Sequence, residues 1–163
     1  MRLDALLRAH GFMRVERPPQ LWEADTDDER FIPLLGEMIA ASLARGAKLE
    51  ALTLSAANVT VPQPEPDDTS GPPAGDYVAV SVLGELAWEA EAVWRPERPW
   101  RLDGLEDLTA RLSPSGARYG YIRNMGPRGS LTVFLPRLVD LPNAGPGPDS
   151  GSGAQAARRA RRA

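Results

Sequence analysis

Residues Asp76 to Trp94 read DYVAVSVLGELAWEAEAVW, and this stretch constrains the fold more than any other. It is the longest part of the chain with a strict two-residue rhythm. Val78, Val80 and Val82 fall on one side. Beyond Leu83-Gly84-Glu85, the residues Leu86, Trp88, Ala90, Ala92 and Trp94 alternate with Glu85, Glu89 and Glu91. Successive side chains of a strand point to opposite faces, so the pattern describes half-buried strands at the centre of a sheet. Gly84 suits the first central position of a type II′ turn. Two strands, Tyr77–Leu83 and Leu86–Val93, are therefore expected as a hairpin rather than one bent strand. The Ala and Glu content leaves a helix over Glu85–Val93 open.

The segments before it supply one strong helix. Thr26 and Glu29 form a capping box ahead of an apolar run. Phe31, Leu34, Leu35, Met38, Ile39, Ser42 and Leu43 follow at three- and four-residue steps, and Arg45-Gly46 closes the run. Pro33 predicts either a separate first turn or a bend. Leu3, Leu6 and Leu7 predict a short helix over Arg2–His10, followed by a strand over Met13–Glu16. Leu21–Glu23 reads as an edge strand beside prolines. Leu49–Val61 reads as a strand with a fault: Leu52 and Leu54 differ in parity from Val59 and Val61, which predicts a bulge or turn near Ala56-Ala57-Asn58. Pro62–Gly75 has the composition of a long, mobile loop.

After the central stretch, Arg95–Arg101 is a proline-broken basic loop around Trp100. Leu102, Leu105, Leu108 and Leu112 predict a short amphipathic helix. Tyr119–Asn124 and Leu131–Leu135, joined around Gly126–Gly129, form the clearest hairpin in the sequence. The expected fold is a single α+β domain over residues 1–140, with a mostly antiparallel sheet, two or three helices packed on one face, and a mobile Pro-rich loop at 62–75. Residues 141–163 read as a flexible Gly/Pro/Ser linker and an Arg-rich, disordered C-terminal tail, AQAARRARRA.

Composition excludes several chemistries. The chain of 163 residues has no cysteine, which removes disulfides, thiolate metal sites and cysteine nucleophiles. No run approaches the roughly 20 apolar residues of a membrane span, and MRLDALLRAHGF is too short and charged for a signal peptide. A cytoplasmic protein without membrane contact is expected. His10 is the single histidine, without a partner motif for base catalysis, and its place at a helix end has a dipole explanation. No glycine pattern for phosphate follows a strand. No catalytic, cofactor-binding or metal-binding residue is assigned, and no cofactor is expected.

Charge is the remaining signal. Met1–Val93 carries 7 basic against 16 acidic residues, and Trp94–Arg137 carries 8 against 4. Such asymmetry marks a binding face if the two parts stay apart in space, and marks nothing if they interleave. In the acidic half, Asp25, Asp27, Asp28 and Glu29 cluster at the helix start, although their spacing lacks the glycine and distal glutamate of a calcium loop. In the basic part, Trp100, Arg101, Tyr119, Tyr121, Arg123 and Arg128 offer aromatic platforms with guanidinium groups, the pairing that single-stranded nucleic acid needs. Arg158, Arg159, Arg161 and Arg162 could hold an acidic surface or a phosphate backbone. The expected function is a non-enzymatic, protein-binding module of accessory, regulatory or inhibitor/immunity type, whose acidic half meets a basic partner. The alternatives are an RNA or single-stranded nucleic-acid binder using segment 94–128 and the Arg tail, and a small-ligand protein or enzyme with an unrecognised pocket.

Overall fold

The computed structural model describes residues 14–65, 70–100 and 102–139. The helix expected at Arg2–His10, His10 itself and the Arg-rich tail lie outside them. Six strands form one sheet: β1 Arg14–Glu16, β2 Thr53–Val61, β3 Gly75–Gly84, β4 Ala92–Trp94, β5 Tyr119–Met125 and β6 Arg128–Pro136. Their order is β1-β2-β3-β6-β5-β4. Helix α1 spans Asp28–Leu43, a 3₁₀ turn Leu49–Ala51, and helix α2 Glu106–Leu112. The architecture is α+β, but the sheet is mixed. β1 pairs parallel with β2, while the other strand pairs are antiparallel. A parallel pair needs a long crossover, and α1 supplies it between β1 and β2.

Both helices and the helical side of the sheet share one core. Leu54, Val82, Leu131 and Ile122 stand side by side across four strands, and Phe31, Leu34, Leu35, Met38, Leu105, Leu108 and Leu112 close over that face. The opposite face carries a second, smaller cluster: Tyr77, Ala79, Tyr119 and Phe134, with Val59, Val61 and Tyr121 at its margin.

That two-sidedness corrects the reading of β2. The strand runs from Thr53 to Val61 in unbroken register with β3, from Thr53 opposite Leu83 to Val61 opposite Gly75. There is no bulge at Ala56–Asn58. Leu54 and Ala56 belong to the helical core, and Val59 and Val61 belong to the aromatic cluster. The opposite parity records two buried faces, not a break in the strand.

The hairpin at Gly84 is also corrected. β3 ends at Gly84, and the chain then crosses the end of the β5–β6 hairpin to reach the far edge of the sheet as β4. Residues 85–91 have no strand partner, yet Leu86 and Trp88 are buried in the main core. Their alternation reflects an extended chain laid against the sheet. Asn124 holds it there: its Oδ1 accepts the Trp88 backbone N–H and its Nδ2 donates to the Trp88 carbonyl, both at 2.9 Å. Gly129 makes room, since a Cβ there would sit 2.8 Å from the Leu86 carbonyl oxygen.

The expected edge strand Leu21–Glu23 is not formed. A single bridge joins Ala24 to Arg137. Asn58 substitutes for strand pairing by accepting the Trp22 N–H at 2.9 Å and donating to the Gln20 carbonyl at 2.7 Å. The β5–β6 hairpin stands as expected and is longer. Gly126, with φ of 62°, takes the first central position of its turn. Pro127 at the second position has its φ locked negative, which selects type II′.

Candidate functional site

Helix α1 carries the acidic cluster at its start and an outer face that the other described residues leave exposed. Its N-cap is Asp27 rather than the expected Thr26: the Asp27 carboxylate accepts the Arg30 N–H at 2.9 Å and also pairs with the Arg30 guanidinium. The carboxylate meets both the free N–H groups and the positive helix end. Asp28 and Glu29 occupy the first turn, exposed, and neither forms an ion pair among the described residues. The helix continues unbroken through Pro33.

The helix buries one side only. Phe31, Leu34, Leu35, Met38, Ala41 and Ser42 face the sheet. Opposite them run Glu29, Ile32, Gly36, Ala40 and Leu43, all exposed, at the three- and four-residue steps of one helical face. Ile32 and Leu43 are 46% and 37% exposed, two of the few large apolar side chains left open to solvent among the described residues. Leu43, expected in the core-facing run, thus belongs to the outer face, and Ile39 is half-buried at its edge. Arg30 and Glu37, the remaining charged residues of the helix, lie to one side of the stripe. A Cβ at Gly36 would meet nothing within 4 Å. Glycine inside a helix costs about 0.5–1 kcal/mol relative to alanine, and no contact among the described residues requires it here.

The C-terminal end of α1 is closed inward. Arg45 has a side chain only 7% exposed. It donates to the Ala41 carbonyl at 2.9 Å and to Glu89 at 3.1 Å, and lies 4.3 Å above the Trp88 ring. A hydrogen bond from its own backbone, opposed by burial and assisted by Arg45, holds the Glu89 carboxyl below its usual range. Of the acidic residues after Gly84, Glu89 is thus paired with Arg45, and Glu91 accepts the Asn124 N–H at 3.0 Å.

The basic and aromatic candidates divide between the two sheet faces. Tyr119, Tyr121 and Arg123 alternate along β5 on one face, and the Arg123 guanidinium lies 4.3 Å over the Tyr121 ring. Tyr119 meets Phe134 edge-on at 5.4 Å, and Tyr77 meets Phe134 at 5.8 Å. Tyr77 and Tyr119 are buried beneath the end of the Pro-rich loop, and their hydroxyls donate to the Pro73 and Ser70 carbonyls at 2.8 and 3.1 Å. Arg95 ties the same loop by donating to the Gly71 carbonyl at 2.7 Å. Burial raises both phenol pKa values, with Arg118 and Arg95 respectively pulling them back. Trp100 sits on the other face of the sheet, buried in the main core against Gly120. Arg128 is exposed at the hairpin turn, at the opposite end of β5 from Tyr119. Arg101 and Arg158, Arg159, Arg161 and Arg162 lie outside the described residues.

Asp25 lines an open cleft of about 420 Å³ with Asp76, Tyr77 and Arg118. A second cleft of about 520 Å³ lies between Trp100 and α2. Among the described residues, no three His, Asp or Glu groups converge to hold a metal ion, and no helix is long and apolar enough to cross a membrane. No protein-family model matches the chain, and no curated protein is significantly similar to it.

Proposed function

We propose that this chain is a non-enzymatic, cytoplasmic protein-binding module that takes a basic partner on the outer face of α1. One observation carries the reading: an exposed helix face that joins Asp28 and Glu29 to Ile32, Gly36, Ala40 and Leu43 without a cover among the described residues. Such a face offers carboxylates for steering and an apolar strip for packing, the division found in protein interfaces. Gly36 adds a reason, because its cost to the helix is recovered when another backbone approaches closely. Nucleic acid is the weaker alternative on this surface. Stacking needs open aromatic rings, while Tyr77, Tyr119 and Phe134 are each less than 8% exposed and Trp100 lies on the other face. The clefts lend an enzyme reading no convergent catalytic set.

The test is site-specific photo-crosslinking in native lysate, with the cross-linker at Ala40 and, as control, at Arg128. Capture of one basic protein from Ala40 alone, lost in the Asp28→Lys/Glu29→Lys variant, is the expected result. Equal capture at both positions, or capture indifferent to Asp28 and Glu29, overturns the reading.

A further inference from the structure

We infer that the sheet face opposite the helices is a second binding surface, and that it takes a proline-rich segment of a partner protein presenting Gly-Pro-Pro. The chain's own residues 70–74, Ser-Gly-Pro-Pro-Ala, occupy that surface as a strap. The inference does not depend on the reading of the α1 face.

Three observations carry it. The first is how the strap is held. It lies outside every helix and strand, and Gly71 to Ala74 form no backbone–backbone hydrogen bond among the described residues. Side chains hold it instead. The Tyr119 hydroxyl donates to the Ser70 carbonyl at 3.1 Å, the Arg95 guanidinium to the Gly71 carbonyl at 2.7 Å, and the Tyr77 hydroxyl to the Pro73 carbonyl at 2.8 Å. Each bond ends on a main-chain carbonyl. Proline keeps its carbonyl and lacks an N–H, so a set of donors is what a Pro-Pro segment can satisfy. Aromatic-lined grooves receive extended proline-rich peptides in this way. None of the three bonds involves a strap side chain. A segment of another chain with the same backbone meets them equally well.

The second is the floor of the surface. Tyr77, Tyr119 and Phe134 are buried and pack edge-on, with Tyr121 tilted against Phe134 at the margin. Phenylalanine at 77 and 119 would fill the same apolar cluster without needing a partner. A buried hydroxyl is costly unless it is hydrogen-bonded. The two tyrosines therefore make the face dependent on carbonyls delivered from above.

The third is how little else fixes the strap. Ser70, Pro73 and Ala74 are exposed, and Gly71 and Pro72 are half-buried. The strap joins β3 at Gly75, whose φ of 150° is a conformation that residues with a side chain rarely adopt. One pivot and three directional bonds thus decide whether the face is covered. The tethered strap competes at an effective concentration on the order of millimolar, which sets the threshold that a partner segment must pass. Arg95 and Arg123 beside the tyrosines also suit phosphate, but the carbonyl-directed donors favour a peptide.

The probe is a fluorescein-labelled synthetic peptide, Ser-Gly-Pro-Pro-Ala-Gly, titrated into the full chain and into its Pro72→Gly/Pro73→Gly variant. The expected result is several-fold tighter binding to the variant, whose own strap competes less. The gain should disappear when Tyr77→Phe/Tyr119→Phe is added, and a peptide with alanine at both prolines should not bind. Amide shifts at Tyr119, Tyr121 and Phe134 should locate the peptide. Gly75→Ala releases the strap at its pivot and leaves every donor in place, so it gives the same readout if the first variant fails to fold. Equal binding to parent and released chains, binding indifferent to the phenols, or no binding to a folded released chain overturns the inference. So does capture of single-stranded oligothymidylate in place of the peptide, which assigns the face to nucleic acid. Dimerisation of the parent chain that Tyr119→Phe abolishes assigns it to a second copy's strap and likewise overturns the inference. Asp28→Lys/Glu29→Lys should leave peptide binding unchanged, and loss there places the peptide on α1 instead.

Discussion

The two faces of the sheet are closed by different means. On one, α1 and α2 lay aliphatic side chains over Leu54, Val82, Leu131 and Ile122. On the other, Tyr77, Tyr119 and Phe134 pack on one another, and the end of the Pro-rich loop is tied to them by two phenol hydroxyls and Arg95. The helical face depends on burial of apolar area, which is large and non-directional. The loop-covered face depends on a few directional bonds, each worth about 0.5–1.5 kcal/mol net. The difference teaches that β2, β3, β5 and β6 each serve two enclosures of unequal strength. Opening the second should be far easier than opening the first.

Substitutions separate these contributions. Phe31→Ala, at a fully buried position of α1, should cost about 3–5 kcal/mol in urea unfolding. A loss below about 1 kcal/mol would show that the helical face is not the principal core. Tyr119→Phe removes one hydroxyl bond to the Ser70 carbonyl and should cost about 1 kcal/mol. Limited proteolysis should then cut the 62–74 loop faster while the helices stay protected. Equal sensitivity of both regions breaks the distinction.

The pH dependence follows from the same two phenols. Burial raises the folded pKa values of Tyr77 and Tyr119 above 10.0. The unfolded chain therefore loses these protons first as pH rises. Their contribution is fully present below the unfolded value and is lost as pH climbs through the folded ones. Urea midpoints should fall above pH 10 in the parent chain and fall less in Tyr77→Phe/Tyr119→Phe. Matching slopes in the two proteins would remove burial of the phenols as the cause.

The smallest effect has the opposite sign. Gly36→Ala meets no neighbour within 4 Å and should stabilise α1 by about 0.5–1 kcal/mol. The same variant should bind the partner less well, because the added methyl holds the two backbones apart. A stability gain with undiminished binding would show that Gly36 serves no interface.

Much of the fold was legible because local chemistry and tertiary structure agree. The α1 core residues, the Leu105–Leu112 pattern of α2 and the β5–β6 hairpin each satisfy their own periodicity and turn geometry. Misreadings arose where one residue served a neighbour distant in sequence. Val59 and Val61 resembled a register fault because their aromatic neighbours come from β3 and β6. Leu86 and Trp88 resembled a strand because Asn124, 36 residues beyond Trp88, supplies the hydrogen bonds that a strand would. The acidic cluster at α1 was visible as charge. The apolar stripe beside it was also written in Ile32, Gly36, Ala40 and Leu43, but became distinct only once the buried side of the helix was known.

By itself, the sequence determined which segments are periodic, where charge concentrates and which chemistries the absence of cysteine removes. Those properties reside in single residues and their near neighbours. Tertiary structure alone decided strand order, the parallel β1–β2 pair, the crossing at 85–91 and the separation of Trp100 from Tyr119 by the thickness of a sheet. The physical reason is that alternation states that a strand has two sides, whereas the partners that bury each side come from distant parts of the chain.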